Sequence, residues 1–236
     1  MFQRIKNQEW FQGLLDFVFP PLCLGCGAYH EDQNQICQTC LAAIEVFENP
    51  LCLNCQAFVP KGVVCPICLD KSAILFAYAN YQPPLKEIIH QFKFRGITSP
   101  ARTFAPLILE KFKERLSQLD AQALVPIPLY SSRENRRGYN QAELIARELA
   151  VFMNLPVNTE ILWRTKRGRE QARLPFKKRL ANISGAFSAD VPKETINKVI
   201  LVDDVVTSGA TVMEASRCLE SAGCKVSGII SIAHGI

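Results

Sequence analysis

Apolar residues fall into two rhythms from residue 73 onward. Short uninterrupted apolar blocks alternate with longer stretches where apolar positions recur every three or four residues. Ile74 to Tyr81 predicts a strand. Pro84 to Phe94 predicts a helix with Leu85, Ile88, Ile89 and Phe92 on one face. Residues 101–119 predict a second helix along Phe104, Ile108, Phe112, Leu116 and Leu119. Ala123 to Ile127 reads as a short buried strand, and residues 140–153 as a helix opened by Asn140, a good cap. Lys198 to Val202 is another buried strand, Ala210 to Ala222 a helix closed by Gly223, and Val226 to Ala233 a last strand. Strands alternating with helices imply an α/β fold, a mostly parallel sheet flanked by crossover helices, with ligands at the carboxyl ends of the strands.

The front of the chain has neither rhythm. Residues 8–19 predict a short amphipathic helix presenting Trp10, Phe11, Leu14 and Phe17, stopped by Pro20 and Pro21. Leu14 to Leu24 is too short and too interrupted to span a bilayer, and no export signal precedes it, so no membrane insertion and a cytoplasmic location are expected. The boundary expected between the small head and the large domain falls after residue 72, giving units of 1–72 and 73–236.

Cysteine changes the picture of the head. Eight of the ten cysteines form four C-x-x-C pairs: Cys23/Cys26, Cys37/Cys40, Cys52/Cys55 and Cys65/Cys68. Two intervening residues let both sulfurs face one metal, and two pairs complete a tetrahedral zinc shell. A disulfide scaffold needs an oxidising compartment, and iron–sulfur spacings are tighter or irregular. Two structural zinc ions are therefore expected. Sequential pairing closes short loops at low entropic cost and is favoured, with a cross-brace of the first and third pairs as the alternative. His30 is read as a surface histidine, and Cys218 and Cys224 as small buried apolar residues.

Charge separates the two parts. Residues 1–72 carry four basic and seven acidic side chains, a net −3, which leaves +8 of the total of +5 on residues 73–236. The large part therefore expects an anionic partner, either a phosphate-rich small molecule or a nucleic acid. Eight cations crowd residues 164–179: Arg164, Lys166, Arg167, Arg169, Arg173, Lys177, Lys178 and Arg179. The run fits a loop closing over a substrate, a solvated charged loop or a nucleic-acid contact.

The segment richest in chemistry runs from Val199 to Thr211. A buried strand ends in Asp203 and Asp204, and Val205, Val206, Thr207, Ser208, Gly209 and Ala210 lead into a helix. Backbone N–H groups and hydroxyls at a helix N-terminus make an anion cradle. The carboxylates cannot bind phosphate, but they suit sugar hydroxyls or magnesium. Together they describe a ribose 5-phosphate site. No G-x-x-x-x-G-K-[ST] or G-x-G-x-x-G accompanies it, which excludes a P-loop nucleotidase and a dinucleotide fold.

This string resembles the motif with which type I phosphoribosyltransferases bind phosphoribosyl pyrophosphate (PRPP). With the four C-x-x-C pairs in front, nearly all of residues 20–236 is similar to the ComF family of competence-associated proteins. Lys93 to Gly96, Val125 to Pro128, Arg137 to Gln141, and Gln171 to Phe187 with Arg173, Arg179, Asn182 and Gly185 also carry the likeness. It implies a type I phosphoribosyltransferase fold behind a zinc head, with Asp203 and Asp204 on the ribose hydroxyls as the catalytic acids. It further implies that Val205 and Thr207 to Thr211 surround the 5-phosphate, and that Arg133, Arg136 and Arg137 face the pyrophosphate. The implied activity is magnesium-dependent phosphoribosyl transfer to an unidentified acceptor with release of pyrophosphate, linked to DNA uptake. The alternative is a non-catalytic PRPP sensor, or a scaffold handling single-stranded DNA or meeting DNA-uptake proteins. His90 and His234 are available as bases, but neither is singled out.

Overall fold

The computed structural model describes residues 21–30, 35–71, 73–130, 137–165, 185–192 and 196–235. The helix expected over residues 8–19 lies outside them. A five-stranded sheet organises the molecule, in the order β1-β2-β7-β6-β3: Leu51–Cys52, Ile74–Asn80, Lys225–His234, Lys198–Val206 and Ala123–Pro126. All neighbours are parallel except β1, which runs antiparallel to β2. The expected parallel α/β sheet is therefore present, with one addition at its edge. The α1 helix (Gln38–Ala42) and β1 both come from the cysteine head.

Period-two side-chain alternation distributes the sheet's apolar residues between two faces. Phe76, Ile200, Val202, Ile230 and Ile232 face one core together with α2 (Leu85–Phe94), α3 (Ser99–Leu116) and α4 (Gln141–Met153). Leu75, Val199, Leu201 and Ile229 face the other, with α5 (Ala210–Ser221). A small hairpin of β4 (Leu162–Arg164) and β5 (Phe187–Ala189) completes that second layer. The hairpin is too short for periodicity to reveal. Asn140 caps α4 as expected, its Oδ1 accepting the Ala142 N–H at 3.1 Å.

One boundary is corrected. The strand expected to stop at Val202 continues to Val206, because Asp203 and Val205 stay in register with Ser231 and Ala233 of β7. The acids, expected at the strand's very end, are thus inside it, with Val205 and Val206 still to follow.

Candidate functional site

β3 ends at Pro126, opposite Val202 of β6, and β6 runs on for Asp203 to Val206 with no strand paired on that side among the described residues. The chain leaving β3 leads to α4 on one face, and the chain leaving β6 leads to α5 on the other. This divergence falls at the carboxyl end of the sheet, the place where open α/β sheets bind ligands in a crevice.

Adjacent strand residues alternate in direction, yet at the end of β6 both carboxylates stay within the field of Lys93. Asp204 is buried and turns toward α2, where its Oδ1 meets Lys93 Nζ at 2.8 Å. Asp203 lies within the field of Arg164 on β4 and accepts the Asp204 N–H at 2.8 Å. Burial, reinforced by the Asp204 charge, raises the Asp203 carboxyl to about 7 against the opposing pull of Lys93 and Arg164. Burial opposes the charge on Lys93, but Asp204 beside it prevails and raises its pKa.

Thr207, Ser208 and Gly209 turn the chain from β6 into α5. Gly209 sits at the helix N-cap with φ of 73°, a left-handed conformation that glycine adopts without strain. Leu53 from the cysteine head packs on this turn, 3.3 Å from where a Cβ on Gly209 would stand. A Cβ on Gly235, just past β7, would stand equally close to the Thr207 methyl. The cradle is therefore walled by two segments remote in sequence.

Arg137 is half-buried. Its guanidinium lies 5.0 Å from the Phe94 ring centroid and donates to Gln141 Oε1 at 2.9 Å. The rest of the Arg137–Gln141 motif grips the end of α2. Tyr139 Oη and Gln141 Nε2 both donate to the Phe92 carbonyl, at 2.6 and 3.2 Å, and Asn140 Nδ2 donates to the Ile127 carbonyl at 3.1 Å. Arg133, Arg136 and the basic run beyond Thr165 lie outside the described residues; Arg164 alone of that run is seen, stacked 5.1 Å over Phe187. The hairpin β4–β5 carries the run on its connecting segment. His234 is buried, its Nδ1 is 2.8 Å from the Val206 carbonyl, and burial lowers its pKa. His90 is exposed on α2, beside Phe94.

The structure groups the eight head cysteines sequentially: Cys23, Cys26, Cys37 and Cys40 in one site, Cys52, Cys55, Cys65 and Cys68 in the other. In each group all four sulfurs lie within 4.8 Å of one another, with Cys26–Cys37 at 3.8 Å and Cys55–Cys65 at 3.6 Å. Tetrahedral zinc with Zn–S of about 2.3 Å needs sulfurs about 3.8 Å apart, so both sets fit the ion. The Cys37 N–H donates to Cys23 Sγ at 3.3 Å, a contact that favours the Cys23 thiolate, and the Cys40 N–H donates to Cys37 Sγ at 3.4 Å. Backbone donors, led by the N–H of Cys68, hold Cys65 near 7, whereas burial and the neighbouring thiols push Cys68 up to about 12. Gly25 is a steric requirement, since a Cβ there would stand 2.8 Å from Cys40 Sγ.

Lys93 and Leu53 were not singled out by sequence reasoning as parts of the site. Lys93 had a signal, because it continues the buried stripe of α2 four residues after Ile89, where a lysine needs a partner. Leu53 had none beyond its place in a zinc knuckle.

Residues 14–69 match the double zinc ribbon domain family. Competence protein F of Haemophilus influenzae is 35% identical over 214 residues, covering 85% of this chain and 91% of that protein. DNA utilization protein YhgH of Escherichia coli K12 is 31% identical over 191 residues, covering 78% and 83%. Competence protein ComFC of Bacillus subtilis is 27% identical over 205 residues, covering 80% and 79%. Among solved structures, orotate phosphoribosyltransferase from Aeropyrum pernix overlaps 60% of this chain and 62% of its own, at 18% identity and a TM-score of 0.35, too loosely to carry an argument. With a double zinc ribbon ahead of a mostly parallel α/β sheet, and a relative of this identity matched over most of its length, the chain belongs to the ComF family, that of Competence protein F.

Proposed function

We propose that the chain binds PRPP with magnesium in the crevice at the end of β6, and transfers the phosphoribosyl group to a nitrogen acceptor. The observation that carries this reading is the run of two carboxylates followed by a tight turn at the N-terminus of α5. A vicinal diol fits the acids, and a 5-phosphate fits the N–H groups of Thr207 to Thr211. In the transfer, the bond from the anomeric carbon to pyrophosphate breaks with its electrons, a C–N bond forms, and the acceptor proton passes to solvent. The relatives are named for competence and for DNA utilization, which supports a role in handling DNA; the cytoplasm is the location proposed for it. Single-stranded DNA is a candidate partner of the basic segment.

A second reading, a PRPP sensor without catalysis, is favoured by one observation. His234 is held by the Val206 carbonyl and buried, so it is not poised as a general base. Calorimetric titration with PRPP and magnesium tests the shared binding claim, and pyrophosphate release in the presence of trial amine acceptors separates enzyme from sensor. No binding by the zinc-loaded protein overturns both.

The acid pair provides an internal control. The Asp203 pKa of about 7 lies above the ordinary carboxyl value, so the stability this group contributes is present at low pH and lost as pH rises through 7. Asp203→Asn is expected to melt higher than the parent at about pH 8 and to lose that advantage by about pH 4. Asp204→Asn instead leaves Lys93 without its carboxylate and is expected to cost roughly 3 kcal/mol. Both are expected to weaken PRPP.

A further inference from the structure

The ammonium of Lys93 stands at the acid pair, held there by the fold. α2 ends at Phe94, and the Phe92 carbonyl one turn position earlier takes hydrogen bonds from both Tyr139 and Gln141. Two residues at the entry to α4 thus fix the end of α2, and the next side chain, Lys93, meets Asp204. Lys93 Nζ reaches Asp204 Oδ1 at 2.8 Å, and its side chain remains 21% exposed. An ammonium has donors to spare after one such contact.

We propose that Lys93 receives the pyrophosphate group of PRPP, bridging it to Asp204. The proposal rests on the PRPP reading of the crevice. A sugar whose diol lies on Asp203 and Asp204 has its anomeric carbon bonded to one of the diol carbons. The pyrophosphate on that carbon is therefore carried beside the same carboxylates, and a cation hydrogen-bonded to Asp204 is within reach of it. Charge points the same way. Two bare carboxylates repel a polyanion a few ångströms away. With Lys93 on Asp204, and burial disfavouring the Asp203 charge, the crevice loses most of that repulsion. A pair serving the fold alone has no need of an open side, because a buried ion pair contributes little net stability over packed apolar groups. Lys93 also differs from Arg137, whose guanidinium is engaged by Phe94 and Gln141.

The test compares two ligands on the full-length, zinc-loaded chain with magnesium present. PRPP and ribose 5-phosphate share the sugar and the 5-phosphate and differ in the pyrophosphate. Lys93→Met is expected to lower PRPP affinity about 10- to 100-fold, the worth of a charge-assisted hydrogen bond, and to change ribose 5-phosphate affinity by less than about threefold. Lys93→Arg, which keeps the cation, is expected to hold most of the PRPP affinity. Equal losses for both ligands show that Lys93 only positions Asp204, and unchanged PRPP affinity shows that it has no role; either result overturns the proposal. If Lys93→Met does not fold, Lys93→Gln, which still donates to Asp204, gives the same ratio of affinities. A wild-type protein that takes neither ligand removes the PRPP reading itself, a result distinct from any change confined to the variants.

Discussion

The two zinc knuckles are built alike and placed differently. Pro21 to Tyr29 reads PLCLGCGAY, and Pro50 to Phe58 reads PLCLNCQAF. Their hydrogen bonds repeat as well. The Cys23 N–H donates to the Ala28 carbonyl at 2.7 Å and the Cys52 N–H to Ala57 at 2.9 Å, while Gly27 and Gln56 both take left-handed φ, 73° and 62°. Bridges Leu22–Tyr29 and Leu51–Phe58 match too. What differs is the partner of the leucine between the cysteines. Leu24 joins the core shared with α2 and α3, and its knuckle touches Pro84. Leu53 joins the opposite core and lies on Gly209 in the cradle, while Leu51 and Cys52 pair with Leu75 and Ile74 of β2. Duplication supplied one fold twice, and position alone gave the second copy a bearing on the site.

The strongest way to sharpen the contrast is to remove each zinc in turn. Cys65→Ser is expected to release the second ion and free β1. Structural zinc contributes on the order of 10 kcal/mol to small ribbons, so amide protection should collapse along β2 in hydrogen exchange. Cys26→Ser is expected to lose one zinc by elemental analysis while β2 and β6 keep their protection, because among the described residues the first knuckle pairs with no strand of the sheet. Collapse of β6 in Cys26→Ser would erase the distinction between the copies.

A smaller effect is expected from Arg115 on α3, which clamps the second copy. Its guanidinium donates to the carbonyls of Val59 and Pro60, both at 2.6 Å, and to Asn49 Oδ1 at 3.1 Å. Arg115→Ala should lower stability by roughly 2–3 kcal/mol in thermal melts without releasing either zinc. The finest comparison uses the matched leucines. Leu24→Ala and Leu53→Ala should each cost roughly 2–3 kcal/mol. Only Leu53→Ala should weaken PRPP binding in calorimetry, by several-fold, because it takes the wall from beside Gly209. Equal binding by the two variants would separate the cradle from the ribbon.

Much of this was legible in the chain, and the reasons are local. Helices α2 and α4 showed themselves by a one-sided apolar stripe and, for α4, by the Asn140 cap. The cysteine spacings gave the sequential grouping through loop length. The hairpin β4–β5 was not legible, since three residues per strand carry no period, and β1 was hidden because two residues of a zinc knuckle do not read as a strand. The end of β6 was set too early, because the charges of Asp203 and Asp204 look like a strand's last residues until Lys93 and the register with β7 are known. The repeat of Pro21–Tyr29 at Pro50–Phe58 was present in the letters and marks the duplication directly.

The antiparallel cover on β2 has a consequence for the protein's behaviour in a crowded solution. Beyond β1, the Phe47 N–H donates to the Tyr78 carbonyl at 2.9 Å, the Asn80 N–H to Glu45 at 2.9 Å, and Val46 bridges to Ala79. Residues 45–52 therefore occupy backbone groups along the outer side of a strand with five of its seven residues buried. Stripped of that cover, β2 would offer a long apolar template to any other extended chain, including its own copies. Metal starvation is then expected to appear first as self-association, and a chain cut after residue 72 to precipitate before it unfolds.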